Sequence, residues 1–158
     1  MTDPIDSRNA VASAWFRTLR DRIVAAFEGL EDTYAKGTPG RFEVTPTSRA
    51  DGGGGIMSVM RGGEVFEKVG VNWSEVHGQL GEKAQRAMAA RGVPGMDKDP
   101  RFWASGVSLV AHMVNPHAPA VHMNTRMFWT PGAWWFGGGS DLNPCIEYPE
   151  DTAHFHAE

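Results

Sequence analysis

Across residues 102–140 the chain carries a single Asp, Glu, Lys or Arg, and it is Arg126. In a protein whose residues are 22% charged, a lone charge in so long a neutral, aromatic stretch is costly to bury unless it has a partner. The stretch is not a membrane span, because nowhere do about 18 apolar residues run together. Asn115-Pro116-His117-Ala118-Pro119 and Thr130-Pro131-Gly132 cut it into pieces of strand length, residues 102–114, 120–129 and a third beginning at 133–136. Proline flanks these pieces and is absent inside them, as a hydrogen-bonded sheet requires. The stretch therefore predicts antiparallel strands joined by short turns.

The rest of the chain feeds that sheet. Over residues 7–30 apolar side chains recur at helical spacing (Val11, Ala14, Trp15, Leu19, Ile23, Val24, Phe27), with Asp6 or Ser7 available as cap and Gly29 weakening the end. Residues 41–45, 56–60 and 64–72 alternate as strands, and Arg61-Gly62-Gly63 between the last two is a hairpin signal. Asp51-Gly52-Gly53-Gly54-Gly55 punctuates. Residues 81–91 are compatible with a short helix or an irregular excursion, residues 92–100 are loop, and a helix is predicted from Glu150. No internal repeat appears. The fold class is α+β with an antiparallel sheet.

At 158 residues the chain suits one domain, 1–158, able to bury a core without staples. A net charge of −4 supplies no global attraction to nucleic acid. One cysteine, Cys145, excludes an intrachain disulfide and fits a reducing compartment. The acidic first residues lack the pattern of a signal peptide, so the expected location is the cytoplasm.

Chemistry concentrates around Arg126. His122, Asn124 and Arg126 are spaced by two, which on a strand turns all three to one face. An imidazole, an amide and a bidentate guanidinium on one surface suit a carboxylate ligand. Alternatively, Arg126 pairs with Asp141 across adjacent strands as a purely structural ion pair. Trp134-Trp135-Phe136-Gly137-Gly138-Gly139 sets aromatic bulk beside bare backbone, either as a tight turn or as a place where a flat ligand comes close to the main chain. It is no phosphate cradle, because no lysine and no strand-to-helix turn follows. His154 and His156 have a spacing compatible with metal ligation, to which His112 could add a nitrogen.

Taken together, the motifs resemble the oxygen-dependent coproporphyrinogen oxidases. The resemblance is carried by Gly106-Val107-Ser108, His112, Asn115-Pro116, Pro119, His122-Met123-Asn124-Thr125-Arg126 and Trp134 through Leu142. Upstream, Gly52 to Gly55 and Val65 through Ser74 join it, and downstream Glu150-Asp151 with His154-Phe155-His156. It spans roughly residues 50–158, and members are about twice as long, so the chain reads as their N-terminal half. The resemblance implies a large, flat antiparallel sheet flanked by helices, here truncated, and a homodimer in intact members. It implies oxidative decarboxylation of coproporphyrinogen III to protoporphyrinogen IX by molecular oxygen, with carbon dioxide and hydrogen peroxide released and neither flavin nor haem required. A divalent, manganese-type metal is implied for bacterial members.

By residue, the resemblance makes Ser108, Asn124, Thr125 and Arg126 substrate contacts, His122 a proton donor, His112 and His156 metal ligands, and Asp141 a group approaching the pyrrole nitrogens. Two positions depart: Asn143 stands where threonine is usual and Cys145 where an aromatic is common. Two other readings stay open at this point. One is a porphyrinogen- or metal-binding remnant without turnover. The other is a small metal-dependent oxygenase built on the C-terminal histidine pair.

Overall fold

A computed structural model describes residues 4–158, with side chains from Ser7 onward. Helix α1 (Pro4–Tyr34) leads into strands β1 (Phe42–Ser48), β2 (Gly53–Arg61) and β3 (Phe66–Gln79). Helix α2 (Glu82–Ala90) interrupts before β4 (Arg101–Met113), β5 (Ala120–Thr130) and β6 (Ala133–Asn143), and α3 (Pro149–Ala157) follows. The six strands form one antiparallel sheet in chain order, so each strand pairs with its sequence neighbour.

Helix α1 lies across β3 and β4. Its buried stripe is Ala12, Phe16, Leu19, Ile23 and Phe27, packed on Val69, Val71, Trp73, Val107 and Leu109. Val11 and Trp15, which the apolar spacing placed on the packed side, are exposed at 71% and 49%. The sequence pattern merged two adjacent helix faces, and the sheet selected the one bearing Phe16. The helix also starts before Ser7 and runs through Gly29, so Ser7 lies inside it and does not cap it. The side chain of Asp6 is outside the described residues.

Two charged side chains share the buried stripe. Arg20 donates from Nε to the Ser58 hydroxyl at 3.1 Å and pairs with Asp21. Glu31 is fully buried, and its carboxylate accepts backbone N–H bonds from Gly40 (2.9 Å), Glu64 (3.1 Å), Val65 (3.0 Å) and Phe66 (2.9 Å). Burial raises the Glu31 pKa, but the four donors together outweigh it and hold the group below the ordinary carboxylate value. Glu31 thus ties the β2–β3 turn and the entry to β1 to the end of α1. Glycine at position 63 is required there, since a Cβ would sit 2.2 Å from Glu31 Oε1. Gly62, at φ +64°, takes the left-handed conformation that lets the same turn close.

The strands run longer than alternation alone predicts. β3 continues through Gln79, and residues 137–139 are extended backbone inside β6, not a tight turn. Ladder pairing to β5 holds the three glycines straight. Pro46 sits within β1, which is tolerable because β1 is an edge strand. Residues 81–91 contain the short helix α2, and α3 begins at Pro149, one residue before the predicted start. No described helix is long and apolar enough to cross a membrane.

Candidate functional site

Antiparallel register decides which side chains share the face opposite α1. Gly55, Ser74, Gly106, Arg126 and Gly137 line up across β2 to β6, each paired with the next. The adjacent row is Met57, Asn72, Ser108, Asn124 and Gly139, and the row beyond it Val59, Gly70, Val110, His122 and Asp141. On the other flank, Val76, Ala104, Phe128 and Trp135 align. The centre of this face is therefore a floor of glycine, serine and asparagine from which one guanidinium rises.

His122, Asn124 and Arg126 share the face, as their spacing requires, and Ser108 joins them from β4. A shallow depression of about 280 Å³ is lined here by Ser74, Val76, Ala104, Ser108, Asn124 and Arg126. Thr125 also borders the depression, although strand alternation turns its side chain to the opposite face. Beside the glycine strip nothing stands within 4 Å of where a Cβ on Gly137 or Gly139 would be. A flat ligand can come down to the main chain at that strip.

The structural ion pair between Arg126 and Asp141 does not form. Arg126 lies opposite Gly137, two residues along β5 from Asn124, and donates from Nη1 to Asn124 Oδ1 at 2.6 Å. Among the described residues it has no carboxylate within ion-pairing distance. Asp141 instead faces His122, Oδ2 to Nδ1 at 3.1 Å, while its Oδ1 accepts from Asn143 Nδ2 at 2.6 Å. The site thus holds a cation poised for an external anion, next to a carboxylate–imidazole pair that can move a proton.

The aromatic wall is not the one that the Trp134–Phe136 run implied. Strand alternation sends Trp135 to the open face and Trp134 and Phe136 to the other, where Arg8 covers Trp134 at 4.3 Å and Phe16 meets Phe136 at 6.4 Å. Trp135 stacks on Phe128 (5.0 Å, 26°), which stacks on Phe102 (5.7 Å, 10°). Phe102 and Phe128 were absent from the sequence-derived site, although period-two counting from Arg126 finds Phe128.

The proposed metal ligands stand on different elements. His112 ends the β4 row, whereas His156 sits on α3 in a depression of about 240 Å³ with His117, Asp141, Tyr148 and Phe155. His154 and His156 are two apart on a helix, where side chains do not face one another, so they form no chelating pair. That removes the basis for a small oxygenase centred on them. Among the described residues no group of three His, Cys, Asp or Glu side chains could hold a metal ion. The donors present do not fit a complete centre, and no chemical step is routed through a metal.

Fold and site together define an α+β protein whose six-stranded antiparallel sheet carries, on the face opposite α1, a floor of small residues bearing Arg126, with the His122–Asp141 pair beside it. The model of the family described as coproporphyrinogen III oxidase matches residues 11–158, and the chain belongs to that family. Over 150 residues it is 50% identical to the oxygen-dependent coproporphyrinogen-III oxidase of Rickettsia bellii (strain OSU 85-389), covering 93% of this chain and 51% of the relative. Over the same length it is 47% identical to the enzyme of that name from Rickettsia felis and 44% to that from Rickettsia peacockii, each again covered over 51%. The chain spans about half the length of these curated relatives.

Proposed function

We propose that the open face is the substrate floor of an oxygen-dependent coproporphyrinogen oxidase, acting on the propionate side chains of coproporphyrinogen III. The observation that carries this reading is Arg126, a guanidinium without a carboxylate of its own on a floor bare enough for a macrocycle. A propionate carboxylate is the natural bidentate partner, with Asn124 fixing the guanidinium and Ser108 adding a hydroxyl. The Phe102–Phe128–Trp135 stack flanks the apolar rim of the ring.

Each turnover converts a propionate to a vinyl group. The side chain loses carbon dioxide and the equivalent of a hydride from the carbon next to the ring, molecular oxygen takes up that hydride, and one proton completes hydrogen peroxide. His122, bonded through Nδ1 to Asp141, would exchange such a proton. Because the reaction starts from an electron-rich pyrrole and a bound carboxylate, orientation and a dry site supply most of what the protein must add.

The reading is tested by titrating the 158-residue chain with coproporphyrin III, a stable tetracarboxylate macrocycle, and following tryptophan quenching through Trp135. Saturable binding lost in Arg126→Ala supports it; binding unaffected by Arg126→Ala defeats it. The second reading, binding without turnover, is favoured by the uncovered face. It predicts the same titration with no carbon dioxide released from coproporphyrinogen III in air.

A further inference from the structure

His122, Asp141 and Asn143 form a chain of hydrogen bonds across the β5–β6 pair, and its order has a chemical consequence. Asn143 is an amide, and the Nδ2 that meets Asp141 Oδ1 at 2.6 Å can only donate. Asp141 Oδ2 then meets His122 Nδ1 at 3.1 Å. As a carboxylate, Asp141 can only accept at both oxygens, so the proton between Asp141 and His122 belongs to Nδ1. Both contacts lie on the open face, because His122 pairs with Asp141 in the ladder and Asn143 is two residues farther along the same strand.

We propose that Asn143 and Asp141 are positioning residues that hold neutral His122 in its Nδ1–H form, so that Nε2 is the ring atom offered to a ligand on the sheet floor. In the proton step, Nε2 accepts a proton when His122 is neutral, forming an N–H bond as the donor's bond breaks. When His122 is charged, the same atom gives that proton back. In both states Nδ1–H stays bonded to Asp141. What Nε2 meets rests on the proposed function; the tautomer does not. Asn143 takes this part although the resemblance expects threonine there, and a threonine hydroxyl can donate the same bond.

The experiment is nitrogen-15 NMR of the 158-residue chain labelled at histidine, with the His122 signals identified by their loss in His122→Asn. The expected spectrum for neutral His122 has a protonated Nδ1 and an unprotonated Nε2. Asp141→Ala should move the population to the Nε2–H form that free imidazole side chains prefer, Asn143→Leu should move it part of the way, and Asn143→Thr should leave it in place. Amide spectra of each variant confirm the unchanged sheet. An Nε2–H tautomer in the unaltered chain, or an Nδ1–H tautomer that survives Asp141→Ala, overturns the proposal. Failure to bind coproporphyrin III with the Nδ1–H form intact would instead count against the proposed function alone.

Discussion

The two faces of one sheet obey different rules. Toward α1 the strands present Val69, Val71, Trp73, Val107 and Leu109, and the two charges admitted there, Arg20 and Glu31, are met by fixed partners. Toward the other side the same strands present glycine, serine, asparagine and Arg126, whose one described partner is the neighbouring Asn124. A buried charge is tolerated where donors or acceptors surround it, and an under-partnered charge survives where water or a ligand can reach it. The contrast separates what holds the fold from what the fold is for, and each face can be broken without the other.

The largest expected effect is on turnover. The open face leaves Val110 at 39% and Met57 at 43% exposed, and the depression around Arg126 is shallow. Water in such a site weakens the hold on a carboxylate and the proton step alike. Assayed for carbon dioxide release, the 158-residue chain should be at least about a hundredfold slower than a full-length relative, the loss expected when a dry, oriented site is opened. Comparable turnover would show that the exposed face needs no cover.

Next comes the covered face. Glu31→Ala leaves buried N–H groups at Gly40, Glu64, Val65 and Phe66 without their acceptor and should cost about 3–5 kcal/mol, measured by urea unfolding. Because the Glu31 pKa is lower in the folded chain than in the unfolded one, its contribution is complete above the unfolded value of about 4.3. It fades as pH falls through the folded value. The gap between the parent chain and Glu31→Gln should therefore be widest near neutral pH and narrow in acid; a gap that widens in acid would reverse the assignment.

Arg126→Ala should do the opposite. The side chain is exposed, so unfolding free energy should change by less than about 0.5 kcal/mol. Affinity for a tetracarboxylate should fall by about ten- to a hundredfold, the loss of a charge-assisted contact worth about 1.5–3 kcal/mol. A large drop in stability with affinity unchanged would move Arg126 from the ligand face to the structural one.

Much of this division was legible in the residues, because period-two spacing is absolute within a strand. It put His122, Asn124 and Arg126 together correctly and, applied through Trp134-Trp135-Phe136, would have split the aromatics as the sheet does. It could not supply register, which alone brings Asp141 beside His122 and not beside Arg126. The glycines of residues 137–139 read as a tight turn or as a bare stretch for a flat ligand, since glycine permits many conformations and only the β5 ladder holds them extended. Glu31 gave no signal, because its four partners are backbone N–H groups and leave no trace in side-chain patterning. On α1, Val11 and Trp15 fit a helical period as well as Ala12 and Phe16 do, and the sheet broke the tie.

The smallest effect is the most diagnostic of flatness. Gly139 and Gly138 are neighbours on one strand but face opposite sides of the sheet. A Cβ on Gly138 would lie 2.4 Å from the Asn124 carbonyl oxygen, whereas one on Gly139 meets nothing within 4 Å. Gly139→Ala should therefore leave stability unchanged or raise it slightly, by about 0.5 kcal/mol, as the unfolded chain loses freedom. If the open face receives a flat macrocycle against the backbone, that single methyl group stands in the floor beside Asn124 and should weaken coproporphyrin III binding several-fold. Gly138→Ala should show the reverse pairing, with stability lost and affinity in the folded fraction retained. Equal effects of the two substitutions on binding would mean that the ligand does not lie against this strip, and the contrast between the faces would then have to be drawn without a bare floor.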